Sequence, residues 1–155
     1  MPQTPLSLQE QFAPLSVCYG CGPANPQGLQ IKSHVSGDSV VAKFTPASHH
    51  HAFPNVLNGG IIATILDCHC NWAACWYLMQ HQKLDTPPCT VTAKMEITLK
   101  KPTPLNSLTL VARCVKASEN KATISADLKI GDVIYDQFIG EFVIVSPDHP
   151  AFQRW

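Results

Sequence analysis

Charge is what this sequence has least of. Lys and Arg together number 11, Asp and Glu 11, and charged residues make up 14% of the chain. A formal net charge of zero removes the basic bias expected of a nucleic-acid binder. So sparse a charged surface points to part of it being covered by a partner subunit. No apolar run reaches the ~18 residues of a membrane span. Met1-Pro2-Gln3-Thr4-Pro5 has neither a basic n-region nor an apolar h-region, so no secretory leader is read there. The seven cysteines are odd in number and irregular in spacing, which suits a reduced, cytoplasmic setting better than a disulfide framework.

Several motifs are also missing. No G-x-S-x-G elbow exists, which argues against a serine hydrolase. Gly20-x-Gly22 has no strand before it and no third glycine, so it is not a dinucleotide fingerprint. Cys18-x-x-Cys21 has no second C-x-x-C to complete a four-ligand set, and Cys68 and Cys70 point in different directions on a helix. His49-His50-His51 reads as a loop at a site mouth rather than a metal tract. The expectation is therefore no metal and no other cofactor. No internal repeat or low-complexity segment is seen.

What is present fits one domain over residues 1–155, of α+β class, with residues 1–27 as a Pro- and Gly-rich lead-in. A short helix is expected near Leu6–Phe12, and strands over Leu29–Val35 and Ser39–Phe44, with Ser36-Gly37-Asp38 as the turn between them. Thr45–Leu57 reads as a loop. Asn58 is a plausible N-cap for a helix from about Gly59 to about Gln82, apolar nearly all round and so buried on most sides. Lys83–Cys89 reads as a loop. Strands follow over Thr90–Leu99, Ser107–Ala117, Ala122–Ile130 and Val133–Val145, with Gly131-Asp132 as a tight hairpin.

The most informative stretch is Asn58-Gly59-Gly60 through Asp67. Asp67 sits two turns into the helix among Ile65, Leu66, Cys68 and Cys70. A carboxylate there is expensive to bury without a partner and weakens the helix relative to Ala. Two glycines at the helix start let another molecule approach the backbone, where free N–H groups attract polarised oxygens. The segment thus offers an oxyanion-type donor and a base or nucleophile. Structural hydrogen bonding of Asp67, tight packing at Gly59-Gly60 and simple capping by Asn58 are the competing readings. Asn71, one turn after Asp67 on the same face, could orient the carboxylate or a water, or be structural.

His50-His51-Ala52-Phe53-Pro54-Asn55-Val56-Leu57-Asn58-Gly59-Gly60 through Asp67 resembles the acyl-CoA thioesterases of the hot-dog superfamily, in the phenylacetate-pathway-like branch. Cys18-Tyr19-Gly20-Cys21-Gly22, Asn25-Pro26 and Gly28-Leu29 resemble a lead-in of that branch, and Thr90-Val91-Thr92-Ala93 through Lys101-Pro102-Thr103-Pro104 resembles its strand after the helix. The likeness covers most of residues 18–145. It implies a hot-dog fold, a long central helix wrapped by an antiparallel sheet, and hydrolysis of acyl-CoA thioesters. Asp67, Gly59, Gly60 and Asn58 would then be the catalytic set, with His50, Asn71, Thr92, Lys100 and Lys101 toward the substrate. The one departure is Asn58, where the family usually has His.

Whether Asp67 acts as general base or as nucleophile is open at this level. The alternative is a non-catalytic acyl-CoA-binding hot-dog protein. A hot-dog hydratase is disfavoured, because no Asp here has a His five residues on. A helix rises ~1.5 Å per residue, so Gly59 and Asp67 of one chain lie about 12 Å apart, too far to act on one carbonyl. The expected assembly is a homodimer or a dimer of dimers with shared active sites, as the resemblance also implies.

Overall fold

A computed structural model describes residues 5–153; the Met1-Pro2-Gln3-Thr4 start read for a leader lies outside them. Helix α1 (Leu8–Phe12) is short and is held by a capping box: Ser7 Oγ accepts from the Glu10 N–H at 3.2 Å, and Glu10 Oε2 accepts from the Ser7 N–H at 2.9 Å. Strands β1 (Ser33–Ser36) and β2 (Ser39–Phe44) form a hairpin whose turn uses Gly37 at φ +61°, a conformation that favours glycine. A 3-10 turn at Ser48–His50 leads into β3 (His51–Phe53) and β4 (Val56–Leu57), a two-stranded ribbon of their own. Helix α2 (Gly59–Gln82) follows, then β5 (Thr90–Leu99), β6 (Leu108–Ala117), β7 (Lys121–Ile130) and β8 (Val133–Ile144).

The main sheet runs β1-β2-β6-β7-β8-β5, antiparallel throughout, with β5 at one edge. Alternation places Ala122, Ile124, Ala126 and Leu128 of β7, and Phe138 and Phe142 of β8, on the face covered by α2. The helix answers with Ile62, Ile65, Leu66, Ala73, Ala74 and Leu78, all buried. Each large aliphatic so buried contributes about 1.5–3 kcal/mol. This is a helix wrapped by a long antiparallel sheet, the hot-dog arrangement.

Inside the helix, His69 is wholly buried. The Val40 carbonyl can only accept, so His69 Nε2 carries the proton and donates to it at 3.1 Å, leaving Nδ1 to accept from Ser33 Oγ at 2.8 Å. Gln9 donates in turn to Ser33 Oγ at 2.9 Å. Burial holds the imidazole neutral by lowering its pKa to about 4. One polar chain thus ties α1, β1, β2 and α2 together.

Two expectations are corrected. Strand β1 begins at Ser33 rather than Leu29, because the Leu29 and Ile31 N–H groups donate to Tyr19 and Gly20 carbonyls at 2.7 and 3.0 Å, which docks this stretch on the lead-in instead of on β2. The stretch Thr45–Leu57 is not a plain loop: it holds the 3-10 turn and the β3–β4 ribbon, with Asn55 at φ +63° making the reversal.

Candidate active site

The start of α2 is built by its cap. Asn58 Oδ1 accepts from the Gly60 N–H at 2.7 Å and the Ile61 N–H at 3.3 Å, which satisfies two of the helix's orphan donors. The Gly60 N–H is therefore taken by the chain itself. The Gly59 N–H finds no acceptor among the described residues. Of the two glycine donors expected for a substrate oxygen, Gly59 is the one left available. A Cβ added at Gly59 would make only an ordinary contact with Leu99 at 3.6 Å, so packing within the chain does not demand glycine there.

Two turns on, Asp67 faces a cavity of about 210 Å³ that it shares with Asn71, Trp72, Thr92 and the thiols of Cys18, Cys21 and Cys68. Thr92 Oγ1 donates to Asp67 Oδ1 at 2.6 Å. This charge-assisted bond fixes the carboxylate from β5. The Asn71 amide is fastened elsewhere: its Oδ1 accepts from the Thr90 hydroxyl and its Nδ2 reaches the Thr90 carbonyl at 3.5 Å. Asn71 also lines the cavity, and Thr92, expected toward the substrate, is a hydrogen-bond partner of Asp67.

The remaining expected residues lie apart from this cavity. His50 Nδ1 accepts from the Ala47 N–H at 3.0 Å, its ring stacks on Phe44 with centroids 6.0 Å apart, and its carbonyl accepts from the Asn58 N–H at 2.9 Å. It braces the approach to the helix start. Burial and then the charge of His49 lower its pKa, which favours the neutral ring. Lys100 and Lys101 are exposed just beyond β5, and Lys101 Nζ stands 5.0 Å from the centre of the Tyr135 ring.

The sequence reading missed a thiol cluster. Cys18, Cys21 and Cys68 bring their sulfurs within 4.8 Å of one another, with Cys18 and Cys68 at 3.8 Å. The third thiol comes from α2 rather than from a second C-x-x-C. The Cys21 and Cys68 thiols donate to Cys18 and hold it well below the ordinary thiol range; the same bonds push Cys21 and Cys68 up. The signal was Gly20: a Cβ there would meet Cys68 Sγ at 2.3 Å, so glycine is what lets the lead-in close on the helix.

No protein-family model and no curated protein matches the sequence. Solved structures do match. A thioesterase superfamily protein from Shewanella loihica PV-4 is 26% identical, covers 80% of this chain and 98% of its own, and superposes with a TM-score of 0.64. The chain is a hot-dog, thioesterase-like protein. The E. coli PaaI protein of the phenylacetic acid degradation operon shares the fold at 14% identity and TM-score 0.60, over 76% of this chain and 81% of that one. A thioesterase from Haemophilus influenzae does so at 13% and 0.63, over 78% and 84%. No helix among the described residues is long and apolar enough to cross a membrane.

Proposed function

We propose that this hot-dog protein hydrolyses acyl-CoA thioesters to the free acid and coenzyme A. The observation that carries the proposal is Asp67, a carboxylate on a largely apolar helix, held by Thr92 and facing a cavity. Asp67 activates a water or attacks the thioester carbonyl directly. The Gly59 N–H, at the positive end of the α2 dipole, polarises the carbonyl oxygen.

These two groups meet only across a dimer. Within one chain they stand about 12 Å apart along the helix. A second feature supports the shared site: Met95 and Leu99 lie on the same face of β5 as Ile97, which packs against the core, yet they are 48% and 56% exposed. This edge strand therefore keeps apolar surface for a second copy. Lys100 and Lys101, next to that surface, are the cations available to the phosphates of coenzyme A.

A screen of the purified chain against short, medium, long and aryl acyl-CoAs, with Asp67→Asn in parallel, tests the reading. Turnover that is lost in the variant supports it. Saturable binding of acyl-CoA without turnover in the unmodified chain would establish the binding-protein reading instead, for which Asn58 at the usual His position is the motive.

A further inference from the structure

We propose that Cys18, Cys21 and Cys68 form a three-thiolate site for a soft divalent cation, Zn²⁺ in the first place, with the fourth coordination position open to the Asp67 cavity.

The spacing is the first argument. A tetrahedral Zn–S bond of about 2.3 Å places two sulfurs about 3.8 Å apart. Cys18 and Cys68 stand at 3.8 Å, and all three sulfurs fall within 4.8 Å. Closing the set needs movements of no more than about 1 Å. The donor set is the second argument: three sulfurs and no hard oxygen select zinc and similar soft ions over magnesium or calcium.

The surroundings are built for anionic sulfur. Backbone N–H groups of Gly20 and Cys21 bond the Cys18 sulfur, and the Trp72 indole bonds that of Cys21. Such outer bonds hold thiolate ligands in place and spread their charge. The loop is fixed as well. The Gly22 N–H donates to the Cys18 carbonyl at 2.8 Å, and Gly20 lies close enough to Cys68 that any Cβ would collide with it. Two ligands thus come from a tight Cys-x-x-Cys turn and one from a rigid helix. The three cysteines also line the cavity that holds Asp67. A cation bound by them keeps one position facing that space, where water or a small ligand can enter. On binding, each thiol that is still protonated gives its proton to solvent, and no redox change is involved.

The test uses the full chain, reduced and stripped of metal. Titration with Zn²⁺ against a chromophoric chelator is expected to show one ion per chain. Co²⁺ is expected to give an intense sulfur-to-cobalt charge-transfer band, and imidazole to shift the cobalt d–d bands by filling the open position. Cys18→Ser, at an exposed cysteine and so folded, is expected to lose about a hundredfold or more in Zn²⁺ affinity together with the band. Cys68→Ser should do the same, and Cys114→Ser should change nothing. None of these readings depends on thioester turnover. Failure of the reduced chain to take up stoichiometric metal, or affinity unchanged in Cys18→Ser, would overturn the site. A cobalt spectrum indifferent to imidazole would overturn the open position.

Discussion

Asp67 and His69 stand two residues apart on α2 and carry the helix's two most unusual polar side chains. At about 100° per residue they point to nearly opposite sides. His69 faces β1 and β2, is fully buried, and has a partner on each ring nitrogen. Asp67 faces β5 and a cavity, half-buried, with Thr92 holding one oxygen. A buried polar group satisfied on every side is a fastening. A carboxylate presented to a cavity is where the proposed chemistry would act. The same helix thus sets a fully fastened polar group on one face and a cavity-facing carboxylate on the other.

Substitutions sharpen this contrast. Asp67→Asn is expected to lower kcat by about a thousandfold or more while leaving the melting temperature nearly unchanged, since the amide is isosteric but is neither base nor nucleophile. Acyl-CoA turnover beside thermal unfolding checks both halves; a variant that keeps most of its kcat would erase the distinction. His69→Ala should do the reverse, costing about 2–4 kcal/mol of stability through the cavity left and the unpaired Ser33 and Val40 groups. Its rate per folded molecule should hold within a few-fold, as denaturant titration with active-site normalisation would show.

Smaller effects probe the supports. Thr92→Val removes the hydroxyl that fixes Asp67 and should lower kcat by about tenfold, with little change in KM. Asp136 on β8, in register with Leu99 near the start of α2, gives a further test. It is buried, Thr103 donates to its Oδ2 at 2.7 Å, and its Oδ1 has no partner among the described residues. Burial raises its pKa. The unfolded chain therefore ionises first, and stability present below the ordinary carboxylate pKa falls as pH rises through the raised value. Asp136→Asn should flatten that slope and stabilise the protein at neutral pH by about 1 kcal/mol, measured by unfolding at several pH values.

The elements with strong local signals were legible in the sequence. The bounds of α2 followed from the Asn58 cap and a continuous apolar pattern, and Thr90–Leu99 emerged as one strand between a proline-rich loop and Pro102. The carboxylate and the glycines at the helix start could be singled out because each breaks the local pattern. What stayed hidden depends on contacts distant in sequence. Thr92 orients Asp67 from 25 residues away. Cys18 and Cys68 are separated by 50 residues, and helical spacing alone could not show that Cys68 faces the lead-in. Nor does spacing reveal that Asn58 takes the Gly60 N–H and leaves that of Gly59.

That last point supplies the sharpest measurement. Gly59 is the first residue of α2, where proline is well tolerated, and Asn58 at φ −64° and ψ 132° already has the conformation a following proline requires. Gly59→Pro deletes the proposed donor N–H without disturbing the helix. A chain carrying Gly59→Pro and a chain carrying Asp67→Asn should each be folded and nearly inactive. Refolded together in equal amounts, half of the dimers are mixed and each mixed dimer has one intact site of two, so about a quarter of the unmodified activity should return. A fully active monomer, or verified mixed dimers with no recovered activity, would contradict the shared site.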